Sequence, residues 1–85
     1  MLTKNEIEKI ASGYLTKLEY PFVGPGRVTL PDEEDETEVK EFLEENTLSC
    51  VCFNSSEPDN DLIPGVFIVY VNYKTGEITM PRHMA

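Results

Sequence analysis

The sequence predicts an α+β fold. Three observations carry that expectation. An N-terminal stretch has helical apolar spacing and a complete start signal. A second helical stretch is crowded with carboxylates. The C-terminal half is rich in β-branched and aromatic residues that alternate. Strands grouped after helices favour α+β over repeated βαβ units, with one or both helices packed on a face of the sheet. At 85 residues the chain is expected to form a single domain, 1–85, with a modest core.

The elements follow in order. Thr3 and Glu6 make a T-x-x-E capping box, with Leu2 and Ile7 placed as the hydrophobic staple. Ile7, Ile10, Ala11, Tyr14, Leu15 and Leu18 then share one helical face. Gly13 weakens that helix by about 1 kcal/mol relative to alanine. Pro21 stops it, so its end is expected near Leu18 or Glu19. Pro21, Gly24, Pro25, Gly26 and Pro31 punctuate the next stretch; two short extended pieces, 22–23 and 27–30, are expected around a turn at 24–26. A second, acidic helix is expected over 34–45. It has a narrow apolar stripe of Val39, Phe42 and Leu43, with Glu34, Glu38, Glu41 and Glu45 opposite.

"LSCVCFN" (48–54) alternates as a strand, with Leu48, Cys50 and Cys52 facing one way and Val51 and Phe53 the other. A polar connection, "SSEPDNDLIPG" (55–65), leads to "VFIVYVNY" (66–73). Phe67, Val69, Val71 and Tyr73 line one face of this strand, and Val66, Ile68 and Tyr70 the other. A strand apolar on both faces belongs inside a sheet. "KTGE" (74–77) is a hairpin turn with Gly76 in the left-handed conformation, and "ITM" (78–80) is the returning strand. Pro81 ends it, leaving "RHMA" as a loose tail. The sheet is thus antiparallel, of at least three strands, and ends in a hairpin.

The charge is localised. Net charge is −9, and the segment "PDEEDETEVKEFLEE" (31–45) holds nine carboxylates and one lysine. The other seventy residues carry six bases and seven acids and nearly balance. Such a field repels nucleic acid and anionic membranes and attracts basic partners. The longest apolar run, "GVFIVYV", is too short to cross a bilayer, and no signal-peptide pattern opens the chain. Two cysteines make no disulfide framework, so a cytoplasmic protein is expected.

No constellation of catalytic residues stands out. Cys50 and Cys52 point the same way on a strand, but structural zinc takes about four ligands. Core packing as small apolar side chains is the expectation for both, with no metal and no cofactor. His83 lacks an orienting acid or a nucleophile. Ser49, Ser55 and Ser56 have no G-x-S-x-G context, and there is no P-loop or dinucleotide fingerprint. "EPDND" (57–61) lacks the glycine and closing glutamate of a calcium loop. Tyr14, Tyr20, Tyr70 and Tyr73 have no basic surface on which to stack bases. An enzyme is therefore not expected.

The carboxylates of 31–45 have neither the burial nor the close pairing that acid–base chemistry needs. They read either as solubilising surface or as a docking face for a basic partner. Like charges at i, i+4 cost about 0.2–0.5 kcal/mol per pair, and Glu44 and Glu45 oppose the helix dipole. A stripe that works against its own helix favours the docking reading. The candidate partner-binding residues are Asp32, Glu33, Glu34, Asp35, Glu38, Glu41 and Glu45. Asp59 and Asp61 form a secondary surface.

The C-terminal half, "SCVCFNSSEPDNDLIPGVFIVYVNYKTGEI", resembles the YrhB-like family of small bacterial toxin-immunity proteins. That family's pattern has an N-terminal helix, an aromatic-rich strand, a loop, a proline-containing approach to an apolar strand, and a closing hairpin. Pro64, the strand 66–71, and Asn72 with Thr75, Gly76, Glu77 and Ile78 occupy those places, and "LTKNEIEKIASGYL" matches the opening helix. The family's middle-strand tryptophan is replaced here by Ser49–Cys50, and the acidic insert is an addition. The resemblance implies an α+β fold and a non-catalytic inhibitor of a cognate protein toxin. The acidic helix adds the expectation that this toxin has a basic surface, its active-site cleft covered by the acidic face. The alternative is an acidic nucleic-acid mimic or regulatory adaptor inhibiting another enzyme.

Overall fold

Helix α1 (Lys4–Lys17) begins where its capping box places it. The Glu6 N–H donates to Thr3 Oγ1 at 3.1 Å, and the Thr3 N–H donates back to Glu6 Oε1 at 3.0 Å. That backbone hydrogen bond from Thr3 holds the Glu6 carboxyl below its usual pKa. The computed structural model describes residues 1–56 and 65–79. The remaining elements are β1 (Phe22–Thr29), a 3-10 turn (Pro31–Glu33), α2 (Thr37–Asn46), β2 (Leu48–Ser55), β3 (Val66–Asn72) and β4 (Ile78–Thr79). No helix among the described residues is long and apolar enough to cross a membrane.

The four strands form one antiparallel sheet in the order β1-β2-β3-β4. The two strands richest in apolar residues, β2 and β3, are central. Val51 pairs with Val69 and Phe53 with Phe67, so the largest apolar side chains of both strands share one face. α1 covers that face. Ile7, Ala11 and Leu15, at i, i+4 and i+8, are buried against Val51, Phe53, Phe67, Val69 and Val71. Ile10 and Tyr14 flank the stripe and are half-buried. Leu18 was expected to complete this face but is 44% exposed. α1 stops one residue earlier, and Glu19 at φ 62° turns the chain away.

The "YPFVGPGRVTLP" stretch departs from expectation. Residues 22–29 form a single strand whose pairing slips, rather than two pieces joined by a turn. Val23 lies opposite Asn54 and Arg27 opposite Cys52, so four steps along β1 match two along β2. The irregularity is a bulge that takes up Gly24, Pro25 and Gly26 while both flanks stay on the ladder. Gly26 is pulled over the core, and its N–H donates to Glu8 Oε1 of α1 at 3.3 Å.

The hairpin between β3 and β4 follows its local chemistry. Asn72 Oδ1 accepts the N–H groups of Lys74 and Thr75 at 2.9 and 3.0 Å, and Gly76 takes φ 82°. Met80, the 81–85 tail and residues 57–64 of the polar connection lie outside the described residues.

Helix α2 ends on Thr47 at φ 58°, a left-handed position occupied by a β-branched residue. That conformation costs an L-residue about 1–2 kcal/mol, and glycine's greater backbone freedom offsets roughly half of the relief. Thr47→Gly is therefore expected to stabilise the protein by about 0.5–1 kcal/mol, seen as a higher urea midpoint at unchanged slope. A lower midpoint would show that the threonine side chain outweighs the strain.

Candidate functional site

The acidic segment splits into three parts. Pro31, Asp32 and Glu33 form the 3-10 turn, Glu34 to Glu36 are an extended link, and only 37–46 are helical. The helix therefore starts three residues later than the spacing suggested. The cause is a set of contacts local to Glu33. Its Oε1 accepts the Leu30 N–H at 3.0 Å, closing the turn, and its Oε2 accepts from Lys4 Nζ of α1 at 2.6 Å. Lys4 above all, then the Leu30 N–H, holds the Glu33 carboxyl below its usual pKa. This is the only ion pair found among the described residues.

α2 packs against β2 and the 3-10 turn and buries Leu43 completely. Its Phe42 meets Tyr70 of β3 edge-to-face at 5.5 Å, so α2 covers part of the sheet face opposite α1. At 100° per residue, Glu38, Glu41 and Glu45 fall within a sector of about 60° centred opposite Leu43. All three are exposed. Asp32 and Asp35 are exposed beside the start of the helix.

The structure thus sorts the predicted site residues. Glu38, Glu41 and Glu45 share one solvent-facing stripe. Glu33 is tied to Lys4 and Leu30. Glu34 was expected on the same stripe but precedes the helix. It is half-buried, its Oε1 accepts the Glu36 N–H at 3.3 Å, and its charge is felt by Cys50 and Cys52. Asp59 and Asp61 lie outside the described residues.

The cysteines occupy a place that differs from the expected core position. They are half-buried on the face away from α1, with their Sγ atoms 3.9 Å apart. Across the ladder, Cys50 lies between Thr29 and Tyr70, and Cys52 between Arg27 and Ile68. The hydrogen bond between the thiols, reinforced by burial, pushes the Cys50 pKa up. The same bond, helped by Arg27 and opposed by burial, draws Cys52 down to about 7. The alternation of β2 already carried the signal: Val51 and Phe53 together are larger and more apolar than the two cysteines, and that set takes the closed face.

A depression of about 280 Å³ lies beside α2, lined by Phe42, Asn46, Leu48, Asn72, Glu77 and Thr79. Among the described residues that line it, Glu77 is the one titratable side chain, and these residues assemble no acid–base pair.

These features define a small α+β fold with one anionic flank and one partly open sheet face. Comparison with models of known protein families, with curated proteins and with solved structures finds no match.

Proposed function

We propose that this chain is a cytoplasmic immunity protein that binds a bacterial toxin and covers its basic active-site cleft with the exposed carboxylates of α2. The supporting observation is the separation of charge from folding. The segment 31–45 carries a net charge of −8, yet Glu33 alone among its carboxylates is ion-paired within the described residues. Glu41 and Glu45, one turn apart on the exposed stripe of α2, raise the free energy of their own helix, and a basic partner relieves that repulsion. The resemblance to YrhB-like immunity proteins points the same way.

In this mechanism no bond is made or broken. The anionic stripe draws the toxin in at long range, raising the association rate by roughly 10- to 10³-fold. At contact it occupies the place of substrate phosphates, and the toxin's lysines and arginines lose access to substrate. Asp32 and Asp35 add exposed negative charge ahead of the start of α2. A nucleic-acid mimic acting on another enzyme would use the same stripe; the identity of the captured partner separates the two readings.

The test is charge reversal at Glu38, Glu41 and Glu45 together, measured on the toxin that the tagged wild-type chain captures from its native cells. The association rate should fall by at least tenfold at low salt, and the salt dependence of binding should flatten. Far-UV circular dichroism should be unchanged. Unaltered affinity and salt dependence would remove α2 from the interface.

A further inference from the structure

We propose that Cys50 and Cys52 form a two-thiolate site for a single copper(I) ion on the sheet face turned away from α1. The argument begins with strand geometry. Two residues along a strand advance about 6.4–6.8 Å, and both side chains rise from the same face. A disulfide draws its β-carbons to about 3.5–4.5 Å. Reaching that here would bend a strand laddered on both sides, since Cys50 pairs with Thr29 and Tyr70 and Cys52 with Arg27 and Ile68. The ladder therefore resists a direct sulfur–sulfur bond and holds the two sulfurs side by side, where one metal ion can touch both.

The spacing suits a bridging metal. Two metal–thiolate bonds of about 2.3 Å span the observed 3.9 Å at an angle of about 116°, with the backbone left in place. Small side-chain rotations open that angle toward a straight sulfur–metal–sulfur arrangement. Donor number then selects the ion. Among the described residues no group of three or more His, Cys, Asp or Glu side chains is placed to hold a metal. Zinc, which takes four ligands in structural sites, is left incomplete. Copper(I) is soft, prefers thiolates and is satisfied by two of them.

A copper(I) bis-thiolate carries one negative charge. Arg27, directly across the ladder from Cys52, favours that charge, and the half-buried Glu34 carboxylate opposes it. Tyr70 and Ile68 flank the pair on β3, limiting water at the metal, while the half-buried thiols remain reachable from solvent. Ligation displaces the thiol protons and leaves copper in the same oxidation state. This site is independent of the acidic stripe on α2.

The experiment is an anaerobic titration of the full chain with copper(I), in competition with a chromophoric copper(I) chelator. One copper per chain is expected, with affinity lowered at least hundredfold in Cys50→Ser and in Cys52→Ser. The ion must also recognise the fold. At a free concentration a hundred times the dissociation constant, the wild-type melting temperature should rise by roughly 10 °C or more. The melting measurement needs no variant, and Cys50→Ala and Cys52→Ala replace the serine forms if those fail to fold. Undiminished binding by either single variant would overturn the proposal. So would half an equivalent of copper with dimer formation, or a melting temperature that stays flat or falls.

Discussion

Replacing Phe53 by alanine is expected to destabilise the protein by about 3–5 kcal/mol, the range for emptying a buried phenylalanine site. Phe53 is 2% exposed on the central strand β2. Its ring meets Phe22 edge-to-face at 5.0 Å, pairs in register with Phe67, and fills the space under Gly26. Strands β1, β2 and β3 all lean on it, so the cavity has no single neighbour that can collapse into it. A domain of this size is stable by roughly 5–10 kcal/mol. The variant should therefore lose a large share of its stability, seen as a fall in the urea midpoint at nearly constant slope. A loss below about 1 kcal/mol would show that the ring does not hold the sheet and α1 together.

Gly26→Ala should have the next largest effect, a loss of about 2–3 kcal/mol, toward the upper end of overpacking costs. A β-carbon at Gly26 would lie 2.5 and 2.6 Å from Cε1 and Cζ of Phe53 and 2.8 Å from Cγ1 of Val51. These are core side chains held by β2 and β3, not flexible tips that swing aside. Gly24 supplies the control from the same bulge. A β-carbon there meets its nearest atoms at 3.9 Å, an ordinary contact, so Gly24→Ala should change stability by less than about 0.5 kcal/mol. Phe53→Leu in the Gly26→Ala background should recover part of the loss, because the two sites share one volume. Equal effects at Gly24 and Gly26 would mean that bulge flexibility, not the approach to Phe53, governs this stretch.

These two residues show how far the sequence reached. The alternation around Phe53 placed it on the correct face, since period-two patterning is a local property of one strand. Gly26 read as part of a turn. Proline and glycine punctuate turns and bulges alike, and only the partner strand distinguishes them. Here Asn54 and Ser55 continue the ladder past Cys52 and keep Phe22 and Val23 in the same strand as Arg27. The acidic flank divides in a similar way. Its charge was plain from composition. Which carboxylates are free was settled by Lys4, twenty-nine residues from Glu33, which ties that one down and helps to close the 3-10 turn ahead of α2.

Short-range rules account for the start of α1, the Asn72–Gly76 hairpin and the alternating faces of β2 and β3. Each depends on groups a few residues apart, whose energies are written in neighbouring letters. The bulge in β1, the late start of α2 and the withdrawal of Glu34 from the stripe came from packing. Each depends on which distant side chain reaches a place first, and volume and charge at that place are properties of the folded chain alone.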